Sequence, residues 1–121
     1  MSIDVELSED GRYVLVTQQG LVSMAKINAT RIKSRPFYKY CDRTLIDFRQ
    51  ADISPLNFME IDDLGASFKK ALPCCIKAAF VRTPGPEDRI YAHLANTYSI
   101  SGVDTELFET LAAAREWLLE V

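Results

Sequence analysis

The segment from Thr105 to Leu119 constrains the fold of this chain more than any other part. It reads as a short apolar strand, a threonine cap at Thr110 and an amphipathic helix. The same strand-then-helix order begins near Thr44 and recurs with few residues between units. Because parallel strands need crossover helices, and those crossovers are right-handed, such units wind into one sheet covered by helices. The pattern therefore predicts an α/β domain.

The chain begins with a predicted hairpin. Apolar and acidic residues alternate from Ile3 to Leu7, which is typical of a strand with one wet face. A turn at 8–11 leads into a second strand at 13–18, which Gly20 ends.

The next segment predicts a helix with a ragged apolar face. Ser23 caps it and Pro36 ends it, and its apolar positions are Met24, Ala25, Ala29 and Ile32. The basic, aromatic residues 35–40 that follow form either a loop or an added turn.

Two further strands enclose a second helix. Residues 44–49 predict a strand, and Ser54-Pro55 predicts a helix start with serine as the cap and proline at the first helical position. The helix has one apolar stripe: Ile61, Leu64, Phe68, Ala71 and Leu72. The segment 76–82 is apolar on both faces, which indicates a strand covered by helices on both sides.

A third helix follows the Thr83–Pro86 loop, with Gly102 as its stop and one stripe of apolar positions: Ile90, Tyr91, Leu94, Ala95 and Tyr98. The predicted architecture is one domain over residues 1–121, an amino-terminal β-hairpin followed by right-handed β-α units in the order ββαβαβαβα.

Composition narrows the class of protein. With 121 residues, 48% of them hydrophobic, the chain is long enough to bury a single core. The 14 basic and 17 acidic residues form no block of like charge, so we expect no nucleic-acid partner. The apolar runs fall short of the ~18 residues that span a bilayer, so integral membrane association is not expected.

The acidic start and the cysteines predict a cytoplasmic protein. Asp4, Glu6, Glu9 and Asp10 occupy the place where a secretory signal needs basic and then apolar residues. The three cysteines, Cys41 and Cys74-Cys75, lack both CxxC and metal-ligand spacing. We expect free thiols that pack in the core, less clearly so for Cys41.

Several segments resemble a known family: Thr44-Leu-Ile-Asp-Phe-Arg49, Ala78-Ala-Phe-Val81, and Leu107-Phe108 followed by Ala112-Ala-Ala-Arg-Glu-Trp-Leu118. With the order of elements over the whole chain, they resemble the anti-sigma-factor-antagonist-like superfamily, the STAS domains, and more closely its small bacterial SpoIIAA-like branch. The resemblance implies a SpoIIAA-like layered sheet and a regulatory protein-interaction domain. The same fold is used by lipid-binding relatives.

Ser54 has two interpretations. In the signalling relatives a partner kinase phosphorylates a serine at the start of the helix after the third strand, and Ser54 stands at the matching place. The family's Asp-Ser-Ser/Thr-Gly run is Asp52-Ile-Ser-Pro55 here, without the glycine and the second hydroxyl. The structural alternative is the helix cap already described.

Isolated polar residues suggest no reaction centre. His93 lies on the polar side of its helix without a visible orienting partner, and Glu87 and Asp88 are its nearest candidates for surface pairing. Asp47, in the middle of an apolar strand, needs a partner such as Arg49 or a backbone amide.

One constellation remains, because ligands of wound α/β sheets bind at the carboxyl ends of the strands. That rim collects eight residues: Gln50, Asp52, Ser54, Arg82, Thr83, Gly85, Glu109 and Thr110. Arg82 and the amides near Gly85 are candidates to bind an anion, although helix capping also explains such residues. No Walker or GxGxxG motif is present, which argues against a nucleotide.

The predicted function is therefore a non-catalytic regulatory or protein-interaction domain, with another protein or a second copy of itself as partner. The alternative is a small-ligand or lipid carrier, suggested by the many aromatic residues. No catalytic pair, metal cluster or cofactor motif is visible, so neither enzymatic activity nor a cofactor is expected.

Overall fold

A computed structural model describes residues 4–120 of the chain. Its five-stranded sheet has the order β1-β2-β3-β4-β5. β1 is antiparallel to β2, and every later pair is parallel. The strands are β1 (Val5–Leu7), β2 (Val14–Leu21), β3 (Arg43–Asp52), β4 (Lys77–Val81) and β5 (Asp104–Phe108). The predicted hairpin followed by parallel β-α units is confirmed, although Ile3 lies outside the described residues.

Four helices cover the sheet unevenly. They are α1 (Met24–Ser34), α2 (Phe58–Ala71), α3 (Asp88–Ile100) and α4 (Leu111–Leu118), and a 3₁₀ turn at Arg35–Lys39 extends α1. Alternate residues of β4 show the division, since Ala78 and Phe80 join the large core under α1, α2 and α3. Ala79 and Val81 join the smaller core under α4.

The helices α2 and α3 are in close contact at Gly65. A Cβ atom built on Gly65 would lie 2.3 Å from Thr97 Cβ, so any side chain there forces the helices apart. This contact explains a buried glycine inside a helix, where glycine costs about 1 kcal/mol relative to alanine.

Several predicted details are wrong. Gly20 does not end β2: with φ at +67° it lies within the strand, just after a register irregularity between Thr17 and Gln19. Ile32, predicted on the buried face of α1, is exposed, and polar residues occupy that face beside Ile27: Thr30, Arg31 and Ser34. These hydroxyls are satisfied by carbonyls of their own helix, so they can lie inside.

Ser54 does not cap α2. The cap is Asn57, whose side chain accepts from the Glu60 amide while the Glu60 carboxylate accepts from the Asn57 amide. Before it, a turn closed by the bond from Leu56 N–H to Ile53 C=O buries both apolar residues, which delays the helix start. By contrast, the caps Ser23 and Thr110 and the stop at Gly102, where φ is +105°, are confirmed.

The cysteines divide between core and surface. Cys75 is buried, which raises the pKa of its thiol to about 12. Cys74 is exposed, so its predicted place in the core is wrong, and Cys41 is half-buried. The turn before β4 places the side chain of Cys75 in the core and leaves that of Cys74 at the surface.

Candidate functional site

A cleft of about 380 Å³ opens at the carboxyl ends of β3 and β4, which we call the rim cleft. It is lined by Phe48, Arg49, Ala51, Asp52, Ser54, Thr83, Pro84, Gly85, Pro86, Glu87 and Tyr91. Of the predicted rim, the structure brings together Asp52, Ser54, Thr83 and Gly85. The cleft therefore lies where the topology places ligand sites in such sheets.

The remaining rim residues lie outside the lining of the cleft. Thr110 accepts a bond from the Ala113 amide at the start of α4, on the other face of the sheet. Gln50 is exposed and accepts a long bond from Gln19 at 3.5 Å. Glu109 is exposed beside Thr110. Strand β5 ends next to α4, which separates its loop from the rim cleft.

Two carboxylates give the rim cleft its charge. Hydrogen bonds from Ser54, including its amide 2.9 Å from Asp52 Oδ1, lower the pKa of Asp52. Partial burial and the neighbouring Asp52 raise the pKa of Glu87. Burial raises the pKa of Tyr91, whose ring packs on Phe48, to about 12. The cleft is therefore acidic, with a neutral phenol in its wall.

The arginines at this end of the sheet are held by carboxylates. Arg49 Nη2 lies 2.9 Å from Asp47 Oδ2, as predicted for Asp47. Arg82 Nε lies 3.3 Å from Asp88 Oδ1, and the Gly85 amide donates to that same oxygen at 3.0 Å. Asp88 therefore competes with an anion for Arg82 and the Gly85 amide, while Arg82 Nε and Nη1 are buried and form no hydrogen bond with any described residue. Anion binding at Arg82 and Gly85 stays a prediction.

His93 lies beside the same end of the molecule. Its Nε2 is 2.7 Å from Asp62 Oδ1 of α2, and its ring packs edge-on against Phe58 at 5.0 Å. The predicted pairing with Glu87 or Asp88 is wrong, because α2 packs closely against α3 and brings Asp62 nearer. The arrangement joins the two helices at the surface.

Exposed apolar side chains flank the rim cleft, and the sequence analysis did not single them out. Leu21 ends β2 and is 69% exposed, while Phe58 and Met59 begin α2 and are 56% and 78% exposed. Leu21 pairs in register with Asp52, and Phe58 follows the loop that contains Ser54. We call Leu21, Phe58 and Met59 the rim patch. The sequence signal for Phe58 and Met59 is that they are apolar residues at the start of α2, before its buried stripe.

A second group missed by the sequence analysis is buried beneath α1. Arg31, only 6% exposed, donates to Ser67 Oγ at 2.9 Å, Leu64 C=O at 2.7 Å and Tyr98 Oη at 2.8 Å. It lines a cavity of about 20 Å³ with Gln18, which is 2% exposed. Arginine is mostly exposed in proteins, so the sequence of this 11-residue helix gives no sign that Arg31 is buried.

Larger open space lies at the amino ends of the strands. A cleft of about 500 Å³ runs between the loop before β2 and the residues before β3. Its Arg43 donates to the carbonyls of Leu118 and Glu120, so that side chain ties down the end of the described chain.

Within residues 4–120, no group of three or more His, Cys, Asp or Glu side chains is placed to hold a metal ion. No helix in that range is both long and apolar enough to cross a membrane.

Comparison with known proteins identifies the fold. No protein-family model matches the chain, and no curated protein sequence matches it. A crystal structure of an uncharacterised protein of the DUF3478 family, with a SpoIIAA-like fold, from Shewanella loihica PV-4 is similar at a TM-score of 0.57 and 19% identity. The alignment covers 97% of this chain and 92% of that one. The resemblance inferred from the sequence is thus confirmed for the architecture: this chain has a SpoIIAA-like fold.

Proposed function

We propose that this protein is a non-catalytic, regulatory protein-interaction domain that binds its partner at the rim patch and the adjoining rim cleft. The observation that carries the proposal is the exposure of Leu21, Phe58 and Met59 together at one end of the sheet. Large apolar side chains grouped on a surface mark interaction sites, because burying them on binding supplies the free energy of association.

The charge of the rim cleft defines the kind of partner. Asp52 and Glu87 face the cleft, while Arg49 and Arg82 are neutralised by Asp47 and Asp88. A partner that places a lysine or arginine beside an apolar surface would complement this arrangement. The SpoIIAA-like fold supports a regulatory role by analogy alone.

Ser54 remains our proposed phosphoacceptor. It is exposed, three residues before the Asn57 cap, and its amide donates to Asp52. A phosphate there would stand beside the Asp52 carboxylate instead of on the first turn of α2, so like-charge repulsion would open the turn. Intact-mass measurement of the protein from its native host tests this: a species 80 Da heavier, a mass expected for one phosphate and lost in Ser54→Ala, supports it.

The partner is tested by comparative affinity capture from the native host. Bait variants are Leu21→Ser and Met59→Ser, with Ile100→Ser as the matched control, because Ile100 is 77% exposed at the far end of α3. We expect a protein retained by the parent and the control and lost by both rim variants. A set of captured proteins that is identical for all four baits would contradict the proposal.

A second copy of this chain is the other partner that we considered. Sedimentation velocity of the same variants distinguishes it, since a self-associated parent would become monomeric on Met59→Ser and stay associated on Ile100→Ser.

A further inference from the structure

The buried guanidinium of Arg31 lacks a counter-charge. Within residues 4–120 it forms no ion pair, and none of the residues that line its cavity is acidic. Arginine stays protonated in proteins, so it cannot escape the cost of burial by losing its proton. A buried charge without an opposite charge is strongly destabilising.

The neighbours of Arg31 offset only part of that cost. Two hydroxyl oxygens, of Ser67 and Tyr98, and the Leu64 carbonyl accept hydrogen bonds from its terminal nitrogens. The guanidinium also lies 5.2 Å from the Phe68 ring centre and 5.7 Å from that of Tyr98. Burial raises the pKa of Tyr98, so its hydroxyl stays neutral and supplies no negative charge.

Two polar atoms in this region have no partner. Arg31 Nε and Gln18 Oε1 are fully buried and form no hydrogen bond with any described residue. Gln18 Nε2 donates to Thr30 Oγ1 at 3.2 Å. If the Thr30 hydroxyl leaves the Ile27 carbonyl and donates to Oε1 instead, this amide can turn by half a rotation, which frees Nε2 as a second donor toward the cavity.

The size of the cavity limits the ligand. Its volume of about 20 Å³ is close to the space that one water-sized group needs, so it excludes a nucleotide, a sugar or an acyl chain. Its other walls are largely apolar, with Val16, Ile27, Ile46, Phe48, Phe68, Leu72 and Leu94 among them. The space therefore suits one compact group that accepts hydrogen bonds.

We propose that the cavity of Arg31 and Gln18 binds one compact anionic group, a halide or a carboxylate, which neutralises the buried guanidinium. Arg31 Nε donates to it, and the turned Gln18 amide donates from the opposite wall.

The test is thermal unfolding at constant ionic strength while sodium bromide or sodium acetate replaces sodium sulfate. Sulfate stabilises folded proteins non-specifically, so a midpoint that rises as it is removed runs against the general salt trend. We expect a rise of about 5 °C in the parent at a concentration tenfold above Kd.

Three variants complete the design. Arg31→Met removes the charge, and Gln18→Glu places a carboxylate on the cavity wall, so both should lose the rise. Arg49→Met, which removes an arginine already paired with Asp47, should keep it. The proposal is overturned if no anion raises the parent's midpoint, or if Gln18→Glu responds as the parent does.

A second measurement uses the parent alone, so it is valid even if Arg31→Met does not fold. In the parent, the ¹H–¹⁵N resonance of Arg31 Nε should shift on titration with bromide and saturate, and a resonance that does not move would contradict the site.

Discussion

The rim cleft and the Arg31 cavity treat their arginines in opposite ways. At the rim, Arg49 and Arg82 face carboxylates of their own chain, and the cleft that remains is acidic. Beneath α1, Arg31 is buried with neutral partners only. The buried cation without a counter-charge, Arg31, therefore lies away from the carboxyl ends of the strands, where this topology usually holds ligands.

The largest contrast should appear between two phenylalanines. Phe68 is buried against Tyr98, with ring centres 4.5 Å apart, whereas Phe58 is mostly exposed at the rim. We expect Phe68→Ala to lower the free energy of unfolding by about 3–5 kcal/mol and Phe58→Ala to change it by less than about 0.5 kcal/mol. Urea unfolding measures both, and similar losses would remove the distinction between interior and rim.

Two glycines extend the same comparison. Gly65→Ala should cost about 1–3 kcal/mol, because the new methyl group overlaps Thr97 and forces α2 from α3. Gly85→Ala in the rim cleft is the control, since no atom lies within 4 Å of its added Cβ. Thermal unfolding checks the pair, and a Gly65→Ala variant as stable as the parent would show that the helices separate freely.

The start of α2 gives a smaller difference within the rim. Asn57→Ala removes the cap and should cost about 1 kcal/mol, whereas Ser54→Ala should cost no more than a few tenths. Chemical denaturation of the two variants distinguishes the caps. The reverse order would restore Ser54 as the cap.

The smallest effect concerns pH. The pKa of Glu87 is raised on folding, so its contribution to stability is present at low pH and is lost as the pH rises through that pKa. The pKa of Asp52 is lowered, so its contribution is lost as the pH falls. As the pH rises from 3 to 7, the stability of Glu87→Gln relative to the parent should therefore increase, and that of Asp52→Asn should decrease. Urea unfolding midpoints of the parent and both variants measure this across the range. Differences from the parent that change in the same direction for both variants would contradict the assignment.

The sequence predicts the sheet of this protein better than its site. Strands and helices repeat with clear apolar stripes, and the stripe of α2, with Ile61, Leu64 and Phe68, is buried as its spacing requires. The cap of α2 was not predictable in the same way, because a Ser-Pro pair before a helix is typical of a helix start. Burial of Ile53 and Leu56 shifts the start to Asn57.

Arg31 could not be predicted from its own helix. Its burial depends on Leu64, Ser67 and Tyr98, which lie 33 to 67 residues further along the chain. The acidity of the rim cleft likewise results from pairings, such as Asp88 with both Arg82 and the Gly85 amide, that only the folded loop defines.

A crystal structure of the protein grown in sodium bromide shows whether an anion occupies the cavity of Arg31 and Gln18, because bromide scatters anomalously and water does not. We expect an anomalous peak between Arg31 and Gln18, with bromide in contact with Arg31 Nε. An ordered water bridging Arg31 Nε and Gln18 Oε1, with no anomalous signal there, would contradict it.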